Sequence, residues 1–134
     1  MGDLKAFSPE WMKVFQTAAN RDPELSWIAK HMNCRFLWKI GCCSYLFQIE
    51  GGKIISIAEP TWNDSWDFNI EGPKEAWDKF IQPVPPPVYH DLLGIVTRIQ
   101  DCCLNGNRLM AMQYMRSLTR MFTVAREMQG GGGL

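Results

Sequence analysis

Hydrophobic and polar positions repeat with two periods along this chain, and each change of period marks a change of element. Trp11, Met12, Val14, Phe15, Ala18 and Ala19 recur at helical spacing. Ser8, Pro9 and Glu10 ahead of them offer a side-chain cap, a proline suited to the first helical position and a carboxylate near the positive end of the dipole. Asn20 to Pro23 closes this predicted helix. Residues 25–33, LSWIAKHMN, fit either a short second helix or an extended lead-in. From 34 to 59 the period falls to two and predicts a three-stranded meander. Phe36, Trp38, Ile40 and Cys42 share one face of the first strand, and Tyr45, Phe47 and Ile49 one face of the second. Glu50-Gly51-Gly52-Lys53 is a hairpin turn. The third strand, residues 53–58, sets Ile55 and Ile57 on one face and Ile54 on the other.

Residues 66–87, WDFNIEGPKEAWDKFIQPVPPP, continue the pattern. Trp66, Phe68 and Ile70 alternate with Asp67, Asn69 and Glu71 as a fourth strand. Gly72-Pro73 stops it and starts a helix over 73–82, with Ala76, Trp77, Phe80 and Ile81 on its apolar face. Pro83 to Pro87 predicts a polyproline connector. A helix follows over 89–98, then a short fifth strand over 99–105. Asn107 caps the longest helix, which runs to about Met128. Met110, Ala111, Tyr114, Met115, Leu118, Met121, Phe122 and Ala125 fall in its apolar sector, whereas Arg116, Thr119, Arg120, Thr123, Arg126 and Glu127 face away. The sum is one α+β domain, residues 1–134, with a five-stranded, mostly antiparallel sheet, covering helices and a flexible tail from 129.

Composition narrows the function classes. Fourteen basic and fourteen acidic residues cancel, which removes the electrostatic drive expected of a nucleic-acid partner. No apolar run approaches the roughly 18 residues of a membrane span, and the first residues lack the apolar stretch of a secretory signal. Cys34, Cys42, Cys43, Cys102 and Cys103 are odd in number and lack zinc-type spacing. They predict reduced, buried thiols in a cytoplasmic protein, with no metal or other cofactor.

Candidate chemistry is sparse. Tyr89-His90-Asp91 is the densest polar cluster, because a near-neutral imidazole moves protons and a carboxylate orients it. Adjacent helical residues point about 100° apart, so a helix start explains the triplet better than a catalytic pair does. Tyr45 combines a packing ring with a hydroxyl that can act on a ligand. Tyr45, His90 and Asp91 are therefore the candidate catalytic groups of a cofactor-free isomerase, cyclase or dehydratase. An accessory or structural subunit is a further alternative, with a homodimer left open through the first helix and exposed aromatic residues.

The segments YLFQIEGGKIISI and WDFNIEGPKEAWDKF, in this order of elements, resemble the sterol-carrier-protein type-two-like domain family over about residues 33–128. The resemblance implies an elongated apolar cavity between sheet and helices that takes sterols, acyl chains or related lipids. Carried onto this chain, it implies Trp38, Ile40, Phe47, Ile49 and Phe68 as the sheet wall. Tyr114, Met115, Leu118, Met121 and Phe122 form the wall from the last helix. The C-terminal Gly-Gly-Gly-Leu departs from the Ser-Lys-Leu address of peroxisomal carriers. The leading expectation is binding of a hydrophobic small molecule: a sterol, acyl chain, terpenoid or polyketide.

Overall fold

The computed structural model describes residues 6–82, 85, 87, 89 and 92–131. Helix α1 (Pro9–Arg21) begins as its sequence dictates, with Ser8 Oγ accepting from Trp11 N at 3.2 Å. The undecided stretch is helical only in its first four residues, as the end of helix α2 (Pro23–Ile28), for which Asp22 Oδ2 accepts from Leu25 N at 2.8 Å, and residues 29–33 lead on to the sheet without regular structure. Pro23 thus opens a helix rather than only closing one, the N1 role in which its missing N–H costs nothing.

Strands β1 (Cys34–Ile40), β2 (Cys43–Glu50) and β3 (Lys53–Ala58) form the meander. The chain then skips two strands and adds β4 (Phe68–Gly72) parallel to β1, with β5 (Cys103–Gly106) antiparallel outside it. The sheet order is β3-β2-β1-β4-β5, so the sheet is mixed, with three antiparallel pairs and one parallel. Helix α3 (Lys74–Phe80) follows β4, and α4 (Leu92–Arg98) precedes β5.

Four details differ from the sequence pattern. In β3 the register shifts opposite Gln48 and Ile49. This bulge turns Ile54 into the core, leaves Ile57 packed against it and exposes Ile55. β1 ends at Ile40 because Gly41, at φ +63°, turns the hairpin, so Cys42 and Cys43 are exposed and only Cys34 and Cys102 are buried. β4 starts at Phe68, leaving Trp66 in the preceding loop. The last helix is two: α5 (Arg108–Gln113), capped by Asn107, and α6 (Met115–Gly131), separated at Tyr114, where ψ is 9°. Most of the proline connector, with His90, Asp91 and residues 132–134, lies outside the described residues.

The helices cover one sheet face, and the layer between is aromatic. Phe47, Phe36 and Phe68 stack across β2, β1 and β4, with ring centroids 4.8 and 5.4 Å apart. Phe122 of α6 lies 4.5 Å from Trp38 and 5.9 Å from Trp77. Burial of such rings contributes several kcal/mol apiece and sets the position of α6.

Candidate functional site

On α6, successive side chains advance about 100° around the axis, and two faces result. Leu118, Met121, Phe122 and Ala125 point at the sheet and are fully buried. Arg116, Thr119, Arg120 and Thr123 form a polar strip on the other side, and Met115 stands between the two. Across from the strip, Glu24 and Ile28 of α2 and Leu93 of α4 complete a surface groove of about 440 Å³. That volume falls within the range usual for small-molecule sites, about 300–1,000 Å³. Its walls are apolar at Ile28, Leu93 and Met115, and its floor is polar.

An ionic clasp fixes the groove. Arg120 Nη2 donates to Asp22 Oδ1 at 2.7 Å and Arg120 Nε to Oδ2 at 2.9 Å, while Nη1 reaches Glu127 Oε2 at 3.2 Å. The same Asp22 caps α2, so one carboxylate ties α2 to α6 across 98 residues. The Arg120 hydrogen bond holds the Asp22 carboxyl below its usual 3.8, against the opposing effect of burial. Asp22, chiefly, raises the Arg120 guanidinium in turn. Glu24 lies farther from Arg120, at 3.8 Å, with its carboxylate largely in solvent. Arg116 is exposed and has no carboxylate partner among the described residues.

The residues expected to line a cavity are brought together, but chiefly as packed core. Trp38, Phe47, Phe68 and Phe122 join one ring cluster, with Ile40, Ile49, Leu118 and Met121 buried around it. Tyr114 and Met115 sit at its margin, half-buried. Tyr114 Oη accepts from Asn33 N at 3.4 Å, at the junction of α5 and α6. Of the ten, Met115 reaches the groove, and Ile49 borders a separate shallow hollow with Asn33, Arg35 and Asp67. Trp38 Nε1 is buried with no acceptor, a loss of about 1–3 kcal/mol.

Of the three candidate catalytic groups, only Tyr45 lies among the described residues. Its hydroxyl donates to the Phe7 carbonyl at 2.7 Å and so tethers the segment before α1, where Phe7 holds the positive φ of 67°. Burial raises the phenol above its ordinary value, with further contributions from Cys43, Glu59 and Glu10. Tyr45 also borders a pocket of about 270 Å³ with Met12, Gln16, Ile57 and Glu59. Among the described residues no cluster of three His, Cys, Asp or Glu side chains is placed to hold a metal ion. No described helix is long and apolar enough to cross a membrane.

Burial also sorts the thiols. It pushes Cys34 up to about 12 and Cys102 to about 11. Native alkylation at pH 8 is therefore expected to modify Cys42 and Cys43 and to spare Cys34 and Cys102, as peptide mass mapping will show. Rapid labelling of Cys34 would contradict its placement.

No family model and no curated protein matches the sequence. Solved structures do. A crystal structure of sterol carrier protein 2 superposes at a TM-score of 0.74, with 15% identity over 92% of this chain and 98% of that one. The chain has the sterol carrier protein 2 fold. A conserved hypothetical protein of Thermus thermophilus, described as possibly a sterol carrier protein, gives 0.75, with 14% identity over 95% and 92%. A sterol carrier protein domain of Helicoverpa armigera gives 0.57, with 15% identity over 92% and 95%. Within this fold, sequence reasoning missed Glu24, Ile28, Leu93, Arg116, Thr119, Arg120 and Thr123 as a group. An arginine pair four residues apart, with Thr119 between and Thr123 just beyond, was the available signal, but it has the look of a solvated helix face.

Proposed function

We propose that this protein binds a small hydrophobic molecule on the helix-covered side of its sheet, with the groove between α2, α4 and α6 as the mouth of the site. The observation that carries the reading is the apolar wall of Ile28, Leu93 and Met115 in a groove of about 440 Å³. The fold supports it, since two of the solved structures that share it are named sterol carrier proteins. In this reading Met115 is the first contact. Leu118, Met121 and Phe122 lie behind it, and Trp38, Ile40, Phe47, Ile49 and Phe68 form the back wall. Tyr114 closes the α5 end. Methionines give way to an irregular ligand more readily than stacked rings do, because their side chains are unbranched and polarizable. Affinity comes from apolar burial, at about 25 cal/mol per Å² before ordering costs. A sterol, acyl chain, terpenoid or polyketide satisfies this chemistry.

Met115→Asp tests the placement. Met115 is only half-buried, so the fold is expected to persist. Losing one buried methionine contact and adding a charge is expected to weaken binding of an apolar fluorescent probe at least about tenfold. Unchanged probe affinity in a folded variant would remove the groove from the site.

A further inference from the structure

Resting on that reading, we infer that Trp38 selects the ligand through its indole N–H, and that the ligand carries a neutral, ketone-type carbonyl within its apolar body. A buried indole ordinarily finds an acceptor, because the ring tolerates burial and the N–H does not. Two tryptophans of the central layer differ in this respect. Trp77 Nε1 donates to the Lys39 carbonyl at 3.2 Å. Trp38, its neighbour at 5.5 Å between ring centroids, is 0% exposed, and its Nε1 has no acceptor among the described residues.

The surroundings of Trp38 explain why the chain supplies none. Phe7, Phe15, Phe47 and Phe122 pack around it with ring centroids between 4.5 and 6.1 Å away. Its strand partners are Ile70 and Tyr45, and the Tyr45 hydroxyl is directed to the Phe7 carbonyl. Asn69 is buried on the opposite face of the sheet, beside Leu37, and Ser117 Oγ donates to the Ile28 carbonyl at 3.4 Å. A donor left unmet at this depth is destabilising, and an acceptor that arrives with the ligand removes that penalty.

The donor dictates the chemistry of the acceptor. Indole gives one hydrogen bond and accepts none. A carbonyl oxygen takes that bond and leaves no proton of its own behind, whereas a hydroxyl takes it and leaves its own proton unmet among the rings. A carboxylate would exchange its hydration for a single neutral donor, a poor trade for a charge.

Dihexyl ketone, dihexyl carbinol and tridecane share one carbon skeleton and test this by displacing a neutral apolar probe from the full chain. Wild type is expected to bind the ketone about tenfold more tightly than the carbinol. A second protein carries benzothienylalanine in place of Trp38, where sulfur replaces the N–H at nearly constant ring volume. It is expected to bind the ketone about tenfold more weakly than wild type does and tridecane equally well. In wild type the Trp38 indole proton resonance is expected to move downfield with the ketone and not with tridecane, a readout that needs no substitution. Equal ketone affinity in the two proteins, equal binding of ketone and carbinol, or an indole resonance that the ketone leaves in place would each overturn the inference, while tridecane and probe binding keep the apolar reading intact. Failure of the probe and all three ligands to bind wild type would overturn both.

Discussion

Phe122→Ala is expected to lower the unfolding free energy by about 3–5 kcal/mol, the range for deleting a fully buried ring. The residue has no exposed surface and touches four rings from two elements: Phe36 and Trp38 on β1, Trp77 and Phe80 on α3. Removing it leaves a hole that the flanking rings cannot close without breaking their own stacking. Small domains have only about 5–15 kcal/mol of net stability, so this one side chain is a large share. Met112→Ala, on the exposed side of α5, is the control and is expected to stay within about 0.5 kcal/mol. Urea denaturation of both variants checks the pair. A cost below about 1.5 kcal/mol for Phe122→Ala, well under the expected range, would mean that α6 does not rest on the ring cluster.

The second large effect belongs to Asp22. Asp22→Ala removes a helix cap worth about 1 kcal/mol and charge-assisted hydrogen bonds worth about 1.5–3 kcal/mol. The expected loss is about 3 kcal/mol, since the two contributions share one carboxylate and do not add fully. The acid dependence follows from the direction of its shift. The Asp22 carboxyl is held below 3.8 in the folded protein, so the unfolded chain binds its proton more readily. Its stabilisation is complete above about pH 4 and is lost as pH falls through the lowered folded value. Asp22→Asn keeps a capping oxygen but loses the charge, so its stability is expected to change less than that of wild type between about pH 4 and pH 2. Parallel acid unfolding curves for the two proteins would contradict the clasp.

How far the sequence reaches can be judged at single residues. Phe36, Phe47 and Phe68 alternate with neighbours of the opposite face, and period two places them on one side whatever the rest of the chain does. Ser8 and Asn107 are legible for a similar reason: a cap acts within three residues of itself. Ile55 misleads because a bulge changes the face of a strand without changing its composition. The division at Tyr114 is invisible because tyrosine suits a helix well enough and its hydroxyl is engaged by Asn33, 81 residues earlier. The groove is hidden for the same kind of reason. Arg120 looks solvated from α6 alone, and only the return of α2 and α4 to its flank turns a polar strip into a floor. Ile28 and Leu93 likewise carry no sign in the sequence that they line one groove. Their placement depends on where α2 and α4 settle on α6, which periodicity does not encode.

The central claim, that the protein carries an apolar small molecule, is tested most directly by native mass spectrometry of the freshly purified full chain. The expected spectrum shows a species heavier than 15.4 kDa by the mass of one small molecule. Organic solvent should extract that molecule as an apolar compound, and Met115→Asp should deplete it. A spectrum of bare chain, together with no uptake of an added apolar probe, would contradict the account.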